Sequence, residues 1–146
     1  MIMRRFIPYK DVVYMKKNVV VLGGGTGLSY LLRGLKEFPV NITAVVSICD
    51  DGRSTGRLRE EFNQPAVGDI RRVLVALSET EPLVEQLLNY RFKTTSDLNG
   101  HTVGNLLLTA MTNITGNLSV GINSLGKVLN LRGHVLPFSE DNAILM

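Results

Sequence analysis

The sequence predicts an α/β fold with a mostly parallel sheet, and three observations carry that reading. Val19-Val20-Val21-Leu22 is a short β-branched run that breaks into Gly23-Gly24-Gly25-Thr26-Gly27 and resumes at helical spacing with Leu28, Leu31, Leu32 and Leu35. Ile42 to Ile48 is a second β-rich run, so strand, helix and strand succeed one another within about thirty residues as a right-handed βαβ unit. The chain has 146 residues, 45% hydrophobic and 20% charged, the size and balance of one domain able to bury a core.

Residues 1–14 differ in character from the rest of the chain. Arg4, Arg5, Lys10, Lys16 and Lys17 suggest the basic start of an export signal, but the apolar block after them is only Val19 to Leu22, too short for one. The expectation is a leader or an extra edge strand, with Met15-Lys16-Lys17 an equally good start. The run Val19 to Leu22 suits a strand buried on both faces. The first helix should end near Lys36 to Phe38, because Pro39 closes it. Asp69 is expected to cap a helix striped by Ile70, Val73, Leu74 and Leu77. A further helix runs from about Pro82 to Tyr90, and Arg91 to Asp97 is a polar loop. His101 and Thr102 open the next helix, whose expected stripe is Val103, Leu106, Leu107, Ala110, Met111 and Ile114, with Asn105 off it. A glycine-punctuated helix around Val120 to Leu129 and a strand at His134 to Leu136 complete the pattern.

Ligands of open α/β sheets gather outside the carboxyl ends of the strands, and both predicted strand ends carry unusual sequence. Gly23 to Gly27 lets the backbone take positive φ and approach a ligand, while the free N–H groups of the adjoining helix attract an anion, above all phosphate. The dinucleotide fingerprint would need a third glycine where Leu28 stands, so NAD fits incompletely; a triphosphatase loop would need a lysine after Gly27. The second end is Asp50-Asp51-Gly52-Arg53-Ser54-Thr55-Gly56-Arg57. Its adjacent carboxylates repel unless a donor or cation compensates them, which Mg²⁺ with phosphate oxygens would do. Alternatively they accept from a sugar or acceptor hydroxyl. Arg71 and Arg72 fall in the first turn of a helix, where cations are disfavoured and an anionic partner would relieve the cost, making at least one of them a candidate phosphate or carboxylate ligand. His101 reads more readily as a cap or surface residue than as a catalyst.

Composition narrows the partners. A net charge of +3 and a pI near 9.2 suit an anionic small molecule. The absence of tryptophan and the 6% aromatic content argue against a stacking platform for nucleic acid. The longest uncharged stretch, near residues 102–126, is broken by four glycines and several asparagines, so no membrane insertion is expected. The single cysteine, Cys49, excludes an intrachain disulfide and fits a reducing cytoplasm.

Four motifs occur in order: Gly23-Gly24-Gly25-Thr26-Gly27, Asp50-Asp51-Gly52-Arg53-Ser54-Thr55-Gly56-Arg57-Leu58-Arg59, Gly68-Asp69-Ile70-Arg71-Arg72 and His101-Thr102-Val103-Gly104-Asn105-Leu106. Together they resemble the gluconeogenesis factor family, bacterial relatives of the 2-phospho-L-lactate transferases (CofD-like), over residues 15 to about 140. The resemblance implies a Rossmann-like three-layer fold in a cytoplasmic protein, with residues 15–146 the N-terminal part of a nucleotide-binding domain truncated at its C-terminal end. It implies a regulatory protein that binds UDP-N-acetylglucosamine and supports gluconeogenic growth and cell shape, with no known turnover. The transferase branch implies instead a Mg²⁺-dependent transfer of a phospholactyl group from a guanosine-diphosphate-linked donor. By either analogy Gly23, Gly24, Gly25, Thr26 and Gly27, with Arg71 and Asn105, would face the nucleotide phosphates. Asp50, Asp51, Ser54, Thr55 and His101 would lie on the sugar or acceptor side, with Asp50 and Asp51 holding any metal. Arg53 departs from the family pattern, standing where a second glycine usually follows Asp-Asp-Gly. A sheet edge left open by truncation favours a homo-oligomer.

Overall fold

The computed structural model describes residues 15–50 and 52–142. The leader, Asp51 and residues 143–146 lie outside the described residues. β1 (Lys17–Gly23), α1 (Gly25–Leu35) and β2 (Val40–Val46) form the expected βαβ unit. They are followed by α2 (Arg53–Phe62), α3 (Gly68–Leu77), α4 (Pro82–Asn89), α5 (Val103–Thr115), α6 (Leu118–Val128) and β3 (His134–Pro137). The sheet order is β1-β2-β3 and both pairings are parallel, with Val19 opposite Ile42 and Ala44 opposite Val135. This is an α/β fold with a parallel sheet.

Alternation along β2 shows how the sheet is used. Ile42, Ala44 and Val46 point into the core with 2% exposure or less, joined there by Val135 from β3. Helices α1 and α3 close over this face, with Leu28 and Leu32 of α1 meeting Ile70, Val73, Leu74 and Leu77 of α3 in one cluster. Helix α6 packs along β3. The opposite face carries Val20, Leu22 and Leu136, which are 59%, 66% and 47% exposed. The expectation that β1 is buried on both faces is therefore corrected. No described element covers that second face.

Three helix expectations also change. Leu31 of α1 is 55% exposed, because α3 packs over the Leu28 and Leu32 side. Helix α3 is capped by Val67, and Asp69 stands inside its first turn rather than before it. In α5 the buried residues are Gly104, Asn105, Leu108 and Thr109, whereas Leu107 and Ile114 of the expected stripe are exposed. Asn105, expected off the packed face, lies on it.

Candidate functional site

The site forms where β1 and β2 end and α1, α2 and α3 begin. Gly24 is extended and precedes α1; Gly25, at φ +70°, takes a left-handed conformation that L side chains rarely adopt. A Cβ built on Gly25 or Gly27 meets no protein atom within 4 Å, so the loop is open to an incoming group. Gly24 is different. A Cβ there would lie 2.5 Å from Asp69 Oδ2 and 2.9 Å from Ser47 Cβ, so the absence of a side chain lets α3 and the end of β2 close against the loop.

Asp50 follows β2 and turns back on itself, its Oδ1 accepting from the Gly52 N–H at 3.0 Å. Its Oδ2 sits over Gly68, where an added Cβ would lie 2.4 Å away, with Thr55 Oγ1 at 2.5 Å. Arg72 Nη1 is 2.5 Å from Asp69 Oδ1 and 3.7 Å from Asp50 Oδ2, a cation between two carboxylates. The charge cost expected for Arg72 is thus met from within the protein. The capping role expected of Asp69 gives way to this pairing.

Arg71 points elsewhere and is 7% exposed. Its Nη1 donates to Asn89 Oδ1 on α4, and its Nε has no hydrogen-bond partner among the described residues. Burial pushes the guanidinium down to about 10, helped by the nearby charges of Arg72 and Arg91. Arg71 and Arg72, with Thr26 at the start of α1, line a groove of about 440 Å³ between α1, α3 and α4.

Ser54, Thr55, His101 and Asn105 come together in a buried network. Asn105 Nδ2 donates to Ser54 Oγ at 3.1 Å and to Thr55 Oγ1 at 3.5 Å, while Ser54 Oγ lies 3.0 Å from His101 Nδ1. His101 is 4% exposed, so its expected place at the surface is corrected. Desolvation, then the charge of Arg57, lowers its pKa and favours the neutral ring. Ser54 then accepts from Asn105 and donates to Nδ1, which puts the ring proton on Nε2. Serine beside histidine is a nucleophile–base pattern, but both are closed to solvent here. The pair ties the first turn of α2 to the start of α5. The Oδ1 of Asn105 has no hydrogen-bond partner among the described residues.

The structure therefore brings Asp50, Thr55, Ser54, His101 and Asn105 into one chain of contacts through Gly68, with the glycine loop beside it across Asp69 and Arg72. Asp51 lies outside the described residues. Among the described residues no three His, Cys, Asp or Glu side chains cluster as metal ligands. Asp50, already engaged by Gly52 and Arg72, contributes at most one carboxylate beside phosphate oxygens. A cavity of about 530 Å³ lies at the opposite, amino-terminal ends of the strands, between Lys16, Asn18, Val40 and His134. It is remote from these groups. Sequence reading missed Ser29, Tyr30 and Arg33. The signal was present, because with Thr26 they recur at i, i+3, i+4 and i+7 as a polar face of the first helix.

These features define a parallel α/β protein whose polar groups converge at the carboxyl ends of its strands. Residues 19–146 match the family model of the 2-phospho-L-lactate transferase CofD, and the chain belongs to that family. It is similar to the gluconeogenesis factor of Halalkalibacterium halodurans, 62% identical over 130 residues that make up 89% of this chain and 40% of the relative. With the gluconeogenesis factor of Bacillus subtilis the identity is 55% over 89% of this chain and 41% of the relative. A crystal structure of a Bacillus halodurans protein of the UPF0052 family is also similar, with a TM-score of 0.85 at 61% identity, covering 88% of this chain and 41% of that one. The chain thus spans about 40% of the length of these relatives. Among the described residues no helix is long and apolar enough to cross a membrane.

Proposed function

We propose that this chain is the phosphate-gripping part of a regulatory protein linked to gluconeogenesis, taking a nucleotide sugar of the UDP-N-acetylglucosamine type without turning it over. The observation that carries the reading is the open glycine loop: Gly25 and Gly27 face empty space at the N-terminus of an eleven-residue helix, whose free N–H groups suit a diphosphate. Thr26 and Arg71 stand at its margin, and Asp50 supplies an acceptor for sugar hydroxyls, with Thr55 packed behind it. The similarity to gluconeogenesis factors supports the link to gluconeogenesis; support of cell shape and a cytoplasmic location are part of the proposal.

A titration of UDP-N-acetylglucosamine against this chain and its Gly27→Leu variant tests the reading. The new side chain begins in open space, so folding is spared and the ligand alone is obstructed. At a hundred times its dissociation constant the ligand stabilises by about 2.7 kcal/mol, a rise of roughly 5–10 °C in Tm for a domain of this size. The rise should be indifferent to Mg²⁺ and absent from Gly27→Leu. An unchanged response in the variant would remove the glycine loop from the site. The family description, a 2-phospho-L-lactate transferase, favours a second reading as a transferase, for which we propose a nucleotide-diphosphate-linked donor with Mg²⁺ beside Asp50. A Mg²⁺-dependent response to GDP, lost in Asp50→Asn, would select it. A response to NAD in the same panel would select a dinucleotide-binding module instead.

A further inference from the structure

The groove between α1, α3 and α4 is not needed to hold a nucleotide on the glycine loop, with which it shares only Thr26 and Arg71. Its walls are nevertheless unlike ordinary surface. Arg33, Arg71 and Arg72 all line it, against one carboxylate among its lining residues, Glu85. Glu85 is engaged by Arg33, whose two terminal nitrogens donate to its two oxygens, and Asp69 and Asp50 answer Arg72. That leaves Arg71. Its stem crosses α5 at Gly104, where an added Cβ would lie 2.8 Å from Arg71 Cδ, so its head is steered toward α4 and the groove. There it finds the Asn89 amide oxygen, a neutral partner, and Nε finds none. No described carboxylate forms an ion pair with this 93%-buried cation; the charges of Asp50 and Asp69 act on it without pairing, and desolvation still outweighs them, a costly arrangement that a bound anion would relieve.

We propose that this groove is a binding site for a small phosphate monoester, separate from the glycine loop, with Arg71 as its anchor and Arg33 as a second ligand released from Glu85 when the phosphate arrives. Guanidinium forks match phosphate oxygens two at a time, and a dianion answers more than one fork at once. Ser29 adds a hydroxyl, and Tyr30 offers an exposed ring to the organic part of the ligand. The volume of about 440 Å³ lies in the range of small-molecule pockets and is small for a folded partner. Glu85 acts as a tethered stand-in for the anion: it occupies Arg33 in the empty site and competes for it in the filled one.

The test is an amide-resonance titration of the isotope-labelled 146-residue chain with glycerol 3-phosphate and with inorganic phosphate, against sodium chloride at equal ionic strength. The expected result is saturable movement of the Ser29, Tyr30, Arg33 and Asn89 resonances with both phosphates and none with chloride. Arg33→Gln should weaken glycerol 3-phosphate about tenfold, the loss of one charge-assisted hydrogen bond. Glu85→Gln should tighten it about threefold by freeing Arg33. Both positions are part-exposed, so neither change threatens the fold. A tightening on removal of Glu85 is something a purely structural ion pair would not produce. Movement confined to Gly24 to Gly27 would assign the phosphate to the glycine loop and overturn the proposal. So would equal movement with chloride, no movement at all, or a Glu85→Gln variant that binds no better. None of these outcomes depends on whether UDP-N-acetylglucosamine binds, so the two readings fail separately.

Discussion

Two glycines in helices give a matched pair of substitutions with opposite expected signs. Gly68 opens α3 beneath the Asp50 carboxylate, and a Cβ added there would lie 2.4 Å from Asp50 Oδ2 and 2.5 Å from Thr55 Oγ1. Neither atom is free to swing away. Asp50 is held by the Gly52 N–H and faces Arg72, and Thr55, 3% exposed, accepts from Asn105. Gly68→Ala therefore overpacks a polar junction and should cost about 1–3 kcal/mol. For a chain of this length that lowers Tm by roughly 3–10 °C. Gly34, near the end of α1, meets nothing within 4 Å. There alanine only reduces the entropy lost on folding and should stabilise by about 0.5–1 kcal/mol. Urea and thermal unfolding of the two variants beside the parent chain read the difference directly. If Gly68→Ala proves neutral, or gains stability as Gly34→Ala does, the contact with Asp50 and Thr55 is not what demands glycine there. The same pair carries a functional reading, because Gly68→Ala displaces Asp50 and should weaken nucleotide-sugar binding, while Gly34→Ala leaves it intact.

Three further outcomes are expected. Ser54→Ala leaves His101 Nδ1 and one Asn105 N–H without their partner in a buried site, and chemical unfolding should show a loss of about 1–3 kcal/mol. Because the folded pKa of His101 lies below that of the unfolded chain, the unfolded state binds the proton more readily; stability should be full above about pH 6.5 and fall as pH drops below it. A Tm profile from pH 8 to pH 5 should be steeper for the parent than for His101→Gln, and parallel profiles would contradict the assignment. On the open sheet face, Leu22→Glu adds charge at a position already 66% exposed. We propose that this face supports self-association, so sedimentation should show the parent forming a homo-oligomer that Leu22→Glu disrupts without loss of Tm; identical sedimentation of both chains would refute it.

The βαβ unit was legible because its signals are local: β-branched runs, a glycine break and leucines at helical spacing. What periodicity alone could not supply was which side of a helix would find a partner. Leu31 and Leu107 carry the right hydrophobicity at the right spacing, yet both are exposed, because α3 and the network around Ser54 approach from other sides. Asn105 shows the same limit from the polar side. Its burial is tolerated because Ser54 and Thr55 accept from its amide, and those residues lie 51 and 50 positions away. Gln64 and Thr109 are buried by a similar bond over 45 positions. Arg33 and Glu85 are 52 apart, so the polar face of α1 was legible in the sequence but the α4 wall that makes a groove of it was not.

The polar residues at the strand ends were legible as a set, but their division of labour was not. Read as a sequence, Arg71 and Arg72 are equivalent neighbours in one helical turn. In the fold they are separated by what the glycines admit. Gly24 lets Asp69 close against the loop, and Gly68 lets Asp50 lie over α3, so both carboxylates reach Arg72 and neutralise it. Gly104 lets the stem of Arg71 cross α5, and its head pairs with Asn89 on α4, with the charges of Asp50 and Asp69 acting on it without an ion pair. The three small residues thus fix the loops before any ligand arrives, and leave Arg71, among the groove's arginines, without an ion pair to a described carboxylate. An internally neutralised floor beside a buried cation that lacks an ion-pair partner among the described residues is an arrangement that lowers the ordering cost of binding an anion. It also predicts which arginine matters: Arg71→Lys, which keeps the charge but loses the fork, should lose anion binding, whereas Arg72→Lys should chiefly loosen the two loops.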